Sequence, residues 1–293
     1  MPKLAVVTPS YPPDLPLFAD LHESVLTHTQ GETIHHVYVP PGDLRLFSRF
    51  QGPRCRVSVR SRALPGRYLR LPASEIYVNA RRPWPPVRGW ITQQAIKIHA
   101  TATMDADVVL IADSDVVLVR PTTAERFVRD GQVVLYREDD GVDASMARHV
   151  IWHQVARRLL GLPPPPPPPL PDYVGPMIPW DPAIVRAMQR RITEVTGRHW
   201  LDAFTAEMHI SEFILYGVFV DEVLGQSQEP PPVDTTFCHT SYDPDPWDER
   251  TAVAFADRLG PQAVGMAISA KSNTPYNARQ AAIRRCAEVA AES

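Results

Sequence analysis

Two carboxylates at the end of an apolar run are the residues of this chain best suited to chemistry. Val108-Val109-Leu110-Ile111-Ala112 is continuous and apolar, and it delivers Asp113-Ser114-Asp115 ahead of Val116-Val117-Leu118. A strand of that composition is covered on both faces, and open α/β sheets bind ligands just outside the carboxyl ends of their strands. Asp113 and Asp115 there suit a divalent cation, Mn²⁺ or Mg²⁺, which takes oxygen ligands and leaves its other positions to water and phosphate. The D-x-D pattern by itself says little, because Asp105-Ala106-Asp107 and Asp243-Pro244-Asp245 repeat it. Position after a central strand sets Asp113 and Asp115 apart, against the alternative of an exposed turn between strands.

Lysine usage adds an independent pointer. Of 30 basic side chains only Lys3, Lys97 and Lys271 are lysines, so a compact ammonium is expected mainly where it is wanted, and phosphate is one such place. Lys97 follows Gln93 and Gln94 on a segment leading into the acidic strand, and Lys271 lies in the polar loop Ser269 to Thr274. Solvated surface is the alternative for Lys271. Arg54 to Arg88 holds nine arginines and one acid, Glu75. That run reads as unstructured solvated charge, with attraction of a phosphorylated or membrane-bound acceptor as the functional alternative.

The elements that must position these residues follow from periodicity. Lys3 to Thr8 is a short apolar strand ending at Pro9-Ser10-Tyr11, Leu15 to His28 forms a helix, and Ile34 to Val39 is a second strand ending at Pro40-Pro41-Gly42-Asp43. This β-loop-α-β opening starts a parallel α/β sheet. Trp90 to Met104 repeats Ile91, Ala95, Ile98 and Ala102 at helical spacing, with Gln93, Gln94 and Lys97 on a polar face. Strands are expected at Gln132 to Tyr136 and Thr235 to Cys238, and helices at Pro182 to Thr196, Glu212 to Val220 and Ala278 to Ala290. The seven prolines Pro163 to Pro169 exclude helix and interior strand and read as a stiff surface spacer. The fold class expected is α/β: a mixed, mostly parallel central sheet flanked by helices in one domain over residues 1–293.

Composition bounds the function. With 293 residues, 44% of them hydrophobic, the chain can bury a large core, and a net charge of −3 gives no case for nucleic-acid binding. Cys55, Cys238 and Cys286 are odd in number and widely spaced, which argues against a disulfide framework or a zinc knuckle. No apolar run approaches the roughly 18 residues of a membrane helix, and the N-terminal run is too short for a signal peptide. A cytoplasmic location is expected, with peripheral membrane contact and oligomeric state left open.

Two enzyme classes place a D-x-D after such a strand. Asp113 to Val117 matches the haloacid-dehalogenase phosphatase pattern apolar-D-x-D-x-[TV], but there the motif lies on the first strand, and here two strands precede it. The layout resembles instead a GT-A glycosyltransferase, whose D-x-D closes the nucleotide-binding half, here residues 1–120. Val7-Thr8-Pro9-Ser10-Tyr11, Val39 to Asp43, Gly89 to Lys97 and Ser211-Glu212-Phe213-Ile214-Leu215-Tyr216-Gly217 are similar to a bacterial family with this fold. The resemblance implies metal-dependent transfer of a sugar from a UDP-, GDP- or dTDP-sugar to a hydroxyl acceptor. Thr8, Pro9, Ser10, Tyr11, Asp43, Gln93, Gln94, Lys97, Asp113, Ser114 and Lys271 would bind the donor. His239 would be a third metal ligand beside Asp113 and Asp115, and Glu212, behind a capping Ser211, the base at the acceptor hydroxyl. Trp180 would stack on a sugar, or pack in the core. A non-catalytic sugar-nucleotide-binding protein is the third reading.

Overall fold

The computed structural model describes residues 2–71, 74–225 and 230–292. The apolar runs form strands β1 (Leu4–Pro9), β2 (Ile34–Val39), β3 (Cys55–Val59) and β4 (Val108–Ala112), followed by β5 (Val116–Leu118), β6 (Met177–Trp180), β7 (Cys238–Ser241) and β8 (Gly265–Ile268). The main sheet has the order β6-β4-β1-β2-β3. β1 pairs in parallel with both β2 and β4, β2 with β3, and only β6 runs antiparallel, at the edge beside β4. Every residue of β1 and β4 is buried, which is why neither alternates polar and apolar residues. This is a mixed α/β architecture with a mostly parallel central sheet flanked by helices.

A second, three-stranded sheet has the order β7-β8-β5. The chain passes from the main sheet to this one through Asp113, Ser114 and Asp115, in a turn fixed by Asp113 N–H on Pro176 O at 2.8 Å and Val116 N–H on Asp113 O at 3.1 Å. The acidic pair therefore lies at the seam between two sheets, held by backbone bonds on both sides.

Seven helices matter for the site and its surroundings: α1 (Leu15–His28), α2 (Gly89–Thr103), α3 (Ala147–Leu160), α4 (Pro182–Thr196), α5 (Glu212–Val218), α6 (Glu249–Ala256) and α7 (Tyr276–Glu292). Asp181 caps α4 by accepting from Ala183 N and Ile184 N, and Ser211 caps α5 through Ile214 N. α5 continues into a π-helical turn, Phe219–Leu224. Gly217 is obligatory for packing: a Cβ there would stand 2.2 Å from the Tyr173 ring. The Tyr173 hydroxyl is held by Asp221 Oδ2 at 2.5 Å.

The expected strand at Gln132 to Tyr136 shrinks to Gln132–Val133, and that at Thr235 to Cys238 begins only at Cys238. The described residues of the arginine-rich segment form regular structure, contrary to its reading as unstructured. It holds β3 and an antiparallel sheet of Tyr68–Arg70, Tyr77–Asn79 and Arg82–Val87. Three of its arginines are structural. Arg54 donates to the carbonyls of Leu26 and Thr29, Arg67 grips Asp202, and Arg60 is 1% exposed beneath Ser10. Residues 163–169 form no helix or strand and most are exposed, as a stiff surface segment would be.

Candidate functional site

The carboxyl ends of β1 and β4, the inner side of α2, the N-terminus of α5 and the loop after β8 enclose a cleft of about 520 Å³. Pro9, Tyr11, Gln93, Gln94 and Lys97 line it from the first half of the chain, together with Asp113, Ser114 and Asp115. Glu212 and Lys271 are among the residues that line it from the second half. Ten of the fourteen residues singled out from the sequence thus share one concavity.

Lys97 is the hub. Its Nζ lies 3.0 Å from Asp113 Oδ1 and 3.0 Å from Glu212 Oε1, and 4.7 Å from the centre of the Phe213 ring. Its side chain is only 9% exposed, so burial by itself would depress its pKa. The two carboxylates and their hydrogen bonds outweigh that and hold it above the ordinary lysine value. Glu212 is buried on the opposite side, and burial raises its pKa even though Lys97 pulls the other way. The polar face expected on α2 is therefore not solvated. Gln94 and Lys97 are buried because α5 packs over them, with Glu212 N–H donating to Gln94 Oε1 at 3.0 Å. That bond fixes the orientation of the amide and leaves Gln94 Nε2 buried without a partner, a donor for an acceptor atom in the cleft.

Asp115 is held by a different element. Ala270 N–H donates to its Oδ2 at 2.7 Å, and burial, followed by the nearby Asp113 charge, raises its pKa. The loop that supplies Ala270 is organised by Arg279 of α7, which donates to the carbonyls of Ile268, Ser269 and Thr274. Asp14 also faces the cleft and was not singled out from the sequence, where it reads as a loop residue after Pro12-Pro13. Burial first, then Asp115 and Asp113, push its pKa up to about 6. Its signal lay only in its place beyond the end of β1.

Asp113 Oδ2 and Asp115 Oδ1 have no donor side chain among the described residues. A pair of carboxylates with no further side-chain donors fits a hard cation that brings phosphate oxygens with it rather than one caged by protein. Among the described residues no group of three His, Cys, Asp or Glu side chains could hold a metal. His239 does not join the pair. It is stacked on Phe255, with ring centroids 4.0 Å apart, its Nε2–H donates to Phe255 O at 2.8 Å, and it lines a separate cavity. The structure therefore does not bring His239 to the acidic pair, contrary to what the resemblance implies: β7 directs this ring to α6.

Three other residues lie outside the cleft lining. Thr8 is fully buried and shares a 3.0 Å hydrogen bond with His35 Nε2. Ser10 is fully buried, accepts from Ser114 Oγ at 3.0 Å and offers its carbonyl to Arg60. Asp43 is in a short 3₁₀ turn near Arg60, whose charge it supports. These residues shape the loops rather than the surface of the cleft. Trp180 is fully buried and stacked on Tyr216, so core packing is the outcome for this residue.

Fold and site together define an α/β protein whose acidic, lysine-bridged cleft opens at the carboxyl end of a mostly parallel sheet. The chain belongs to the family of unknown function DUF6492, whose model matches residues 5–239 and so takes in Asp113, Asp115, Lys97 and Glu212. Comparison with curated proteins gives no match.

Proposed function

We propose that the protein is a metal-dependent glycosyltransferase of GT-A type, moving a sugar from a nucleoside-diphosphate donor to a hydroxyl acceptor. The observation that carries this reading is the division of the cleft. Asp113 and Asp115 line it together with Tyr11 and Lys271, and a buried carboxylate, Glu212, stands at the N-terminus of α5. Asp113 and Asp115 would hold a divalent cation, which when bound offsets charge on the departing diphosphate. Lys271 adds a positive charge for phosphate oxygens, and Gln94 Nε2 donates to a sugar oxygen. Glu212 takes the proton of the acceptor hydroxyl, its basicity raised by burial and held in check by Lys97.

One observation favours the phosphatase reading: Lys97 contacts Asp113 as a lysine would contact an aspartate nucleophile. Against it, the two carboxylates are held by separate elements, Asp113 by Lys97 of α2 and Asp115 by the Ala270 N–H in the loop after β8. Thermal-shift measurements with UDP, GDP, dTDP and CDP, each with and without Mn²⁺, separate the readings. A binding-competent nucleotide at 100 times its Kd stabilises by about 2.7 kcal/mol. The transferase reading expects one nucleotide to shift the wild type only with Mn²⁺ and not to shift Asp115→Ala; no shift with any of them would remove the donor site.

A further inference from the structure

A second cavity of about 530 Å³ lies beside the arginine-bearing antiparallel sheet, within the range of small-molecule sites. Its walls are largely apolar: Trp84, Pro85 and Pro86 from Arg82–Val87, Ile151 and Val155 from α3, and Met208 from the loop before α5. Trp84 is 78% exposed, and Met208 and Ile151 are also open to solvent. Exposed apolar residues gathered around one concavity mark a binding surface rather than scattered surface residues. The charges on it are unequal. Arg82 and Arg88 line the cavity, and neither has a carboxylate partner among the described residues, whereas the carboxylate of Glu207 is taken by Arg158 at 2.7 Å. The cavity therefore joins an apolar wall to uncompensated positive charge.

It also adjoins the cleft. Trp90 lines the cleft, packs on Trp152 with centroids 5.7 Å apart and carries the Arg148 guanidinium at 5.8 Å from its ring. Positions 148, 151, 152 and 155 fall on one face of α3, so the stripe that meets Trp90 continues directly into the second cavity.

We infer that this cavity binds a phosphate-bearing amphiphile, its apolar chain against Trp84, Ile151 and Met208 and its phosphate at Arg82 and Arg88. As a substrate class this makes the acceptor a hydroxyl carried on a phosphate-bearing lipid rather than a free sugar, an assignment that rests on the transferase reading; binding itself does not. Charge complementarity selects the occupant. A neutral detergent would satisfy the wall and leave both arginines unpaired, and free phosphate would leave the wall wet.

The test is calorimetric titration of the full chain with monomeric n-decyl phosphate, n-decyl maltoside and inorganic phosphate. Decyl phosphate is expected to bind at least about tenfold tighter than either of the others, and Trp84→Ala and Arg88→Gln each to weaken it about tenfold, as truncated anchors do. Both side chains are exposed, so the folded chain tolerates their loss, and the Mn²⁺-dependent nucleotide shift should be unchanged in both variants. Equal binding of the neutral and anionic amphiphiles, or no binding, overturns the inference. Binding to anionic vesicles without binding of the monomer also overturns it, in favour of a membrane-surface contact. The expected pattern in a protein that no nucleotide stabilises would uphold the amphiphile site while removing the transferase reading.

Discussion

Lys97→Met is the perturbation whose size follows most directly from the site. Lys97 is the cation between Asp113 and Glu212, 3.0 Å from each, and the two limbs differ in worth. The Asp113 side chain is 45% exposed, so water rescues it and that limb contributes little. The Glu212 side chain is 5% exposed, and stripping its partner leaves a buried carboxylate unpaired. Removing one member of a buried pair costs about 3–5 kcal/mol, and the lower end applies because Glu212 can take up a proton instead. At about 2–4 °C per kcal/mol for a chain of this size, the melting temperature should fall by roughly 6–12 °C near neutral pH. The deficit must also depend on pH. An acid whose folded pKa lies above its unfolded value stabilises fully below the unfolded value, and that contribution is lost as pH rises through the folded one. Glu212 is already raised above its ordinary 4.5, and losing Lys97 raises it further. The variant should therefore approach the wild type near pH 4.5 and fall furthest behind above neutrality. Lys97 itself adds no pH dependence in this window, since its pKa sits above 10.5. Thermal melts across this range check both features, and Glu212→Gln added to Lys97→Met should restore most of the loss. A loss below about 1 kcal/mol, flat with pH, would refute the assignment of a buried, Lys97-dependent Glu212.

The other predictions concern neighbours of this cluster. Asp14, with its pKa pushed up from 3.8 to about 6, disfavours the folded state increasingly as pH rises through 6. Asp14→Asn should raise the metal-free melting temperature above pH 6 and leave it unchanged near pH 4, as thermal melts over that range will show. Gly217→Ala forces a methyl into the Tyr173 ring and should cost about 3 kcal/mol or more by urea unfolding, at the upper end of overpacking. His239→Asn loses a hydrogen bond to Phe255 O and a ring stack. Its melting temperature should drop modestly, while the Mn²⁺-dependent nucleotide shift stays at the wild-type size.

Much of this arrangement was legible in the residues, for identifiable reasons. α1, β2 and α4 span the residues expected of them, because each is bounded by proline, glycine or a capping side chain and has a clear period, and β4 does so because its unbroken apolar run stops at an aspartate on either side. Asp113 and Asp115 could be found because a fully buried strand must end at a sheet edge, where ligands gather. Lys97 and Lys271 stood out by their rarity. What stayed hidden depends on long-range packing. α3 carries Arg157 and His153 among its buried residues, which blurs its period, and the arginine run reads as loop because Arg54, Arg60 and Arg67 find partners far along the chain. Burial of Gln94 is likewise set by α5, 118 positions later. The direction of His239 depends on α6, which no pattern within β7 encodes.

Turnover separates glycosyl transfer from phosphatase chemistry. The purified chain is incubated with UDP-, GDP- and dTDP-sugars and Mn²⁺, and released nucleoside diphosphate is measured for the wild type, Asp115→Ala and Glu212→Gln, with p-nitrophenyl phosphate as a parallel substrate. A transferase gives slow release from one donor class that needs both Mn²⁺ and Asp115, with p-nitrophenyl phosphate left intact. Hydrolysis of p-nitrophenyl phosphate through Asp113, with every nucleotide sugar untouched, would contradict the transferase reading.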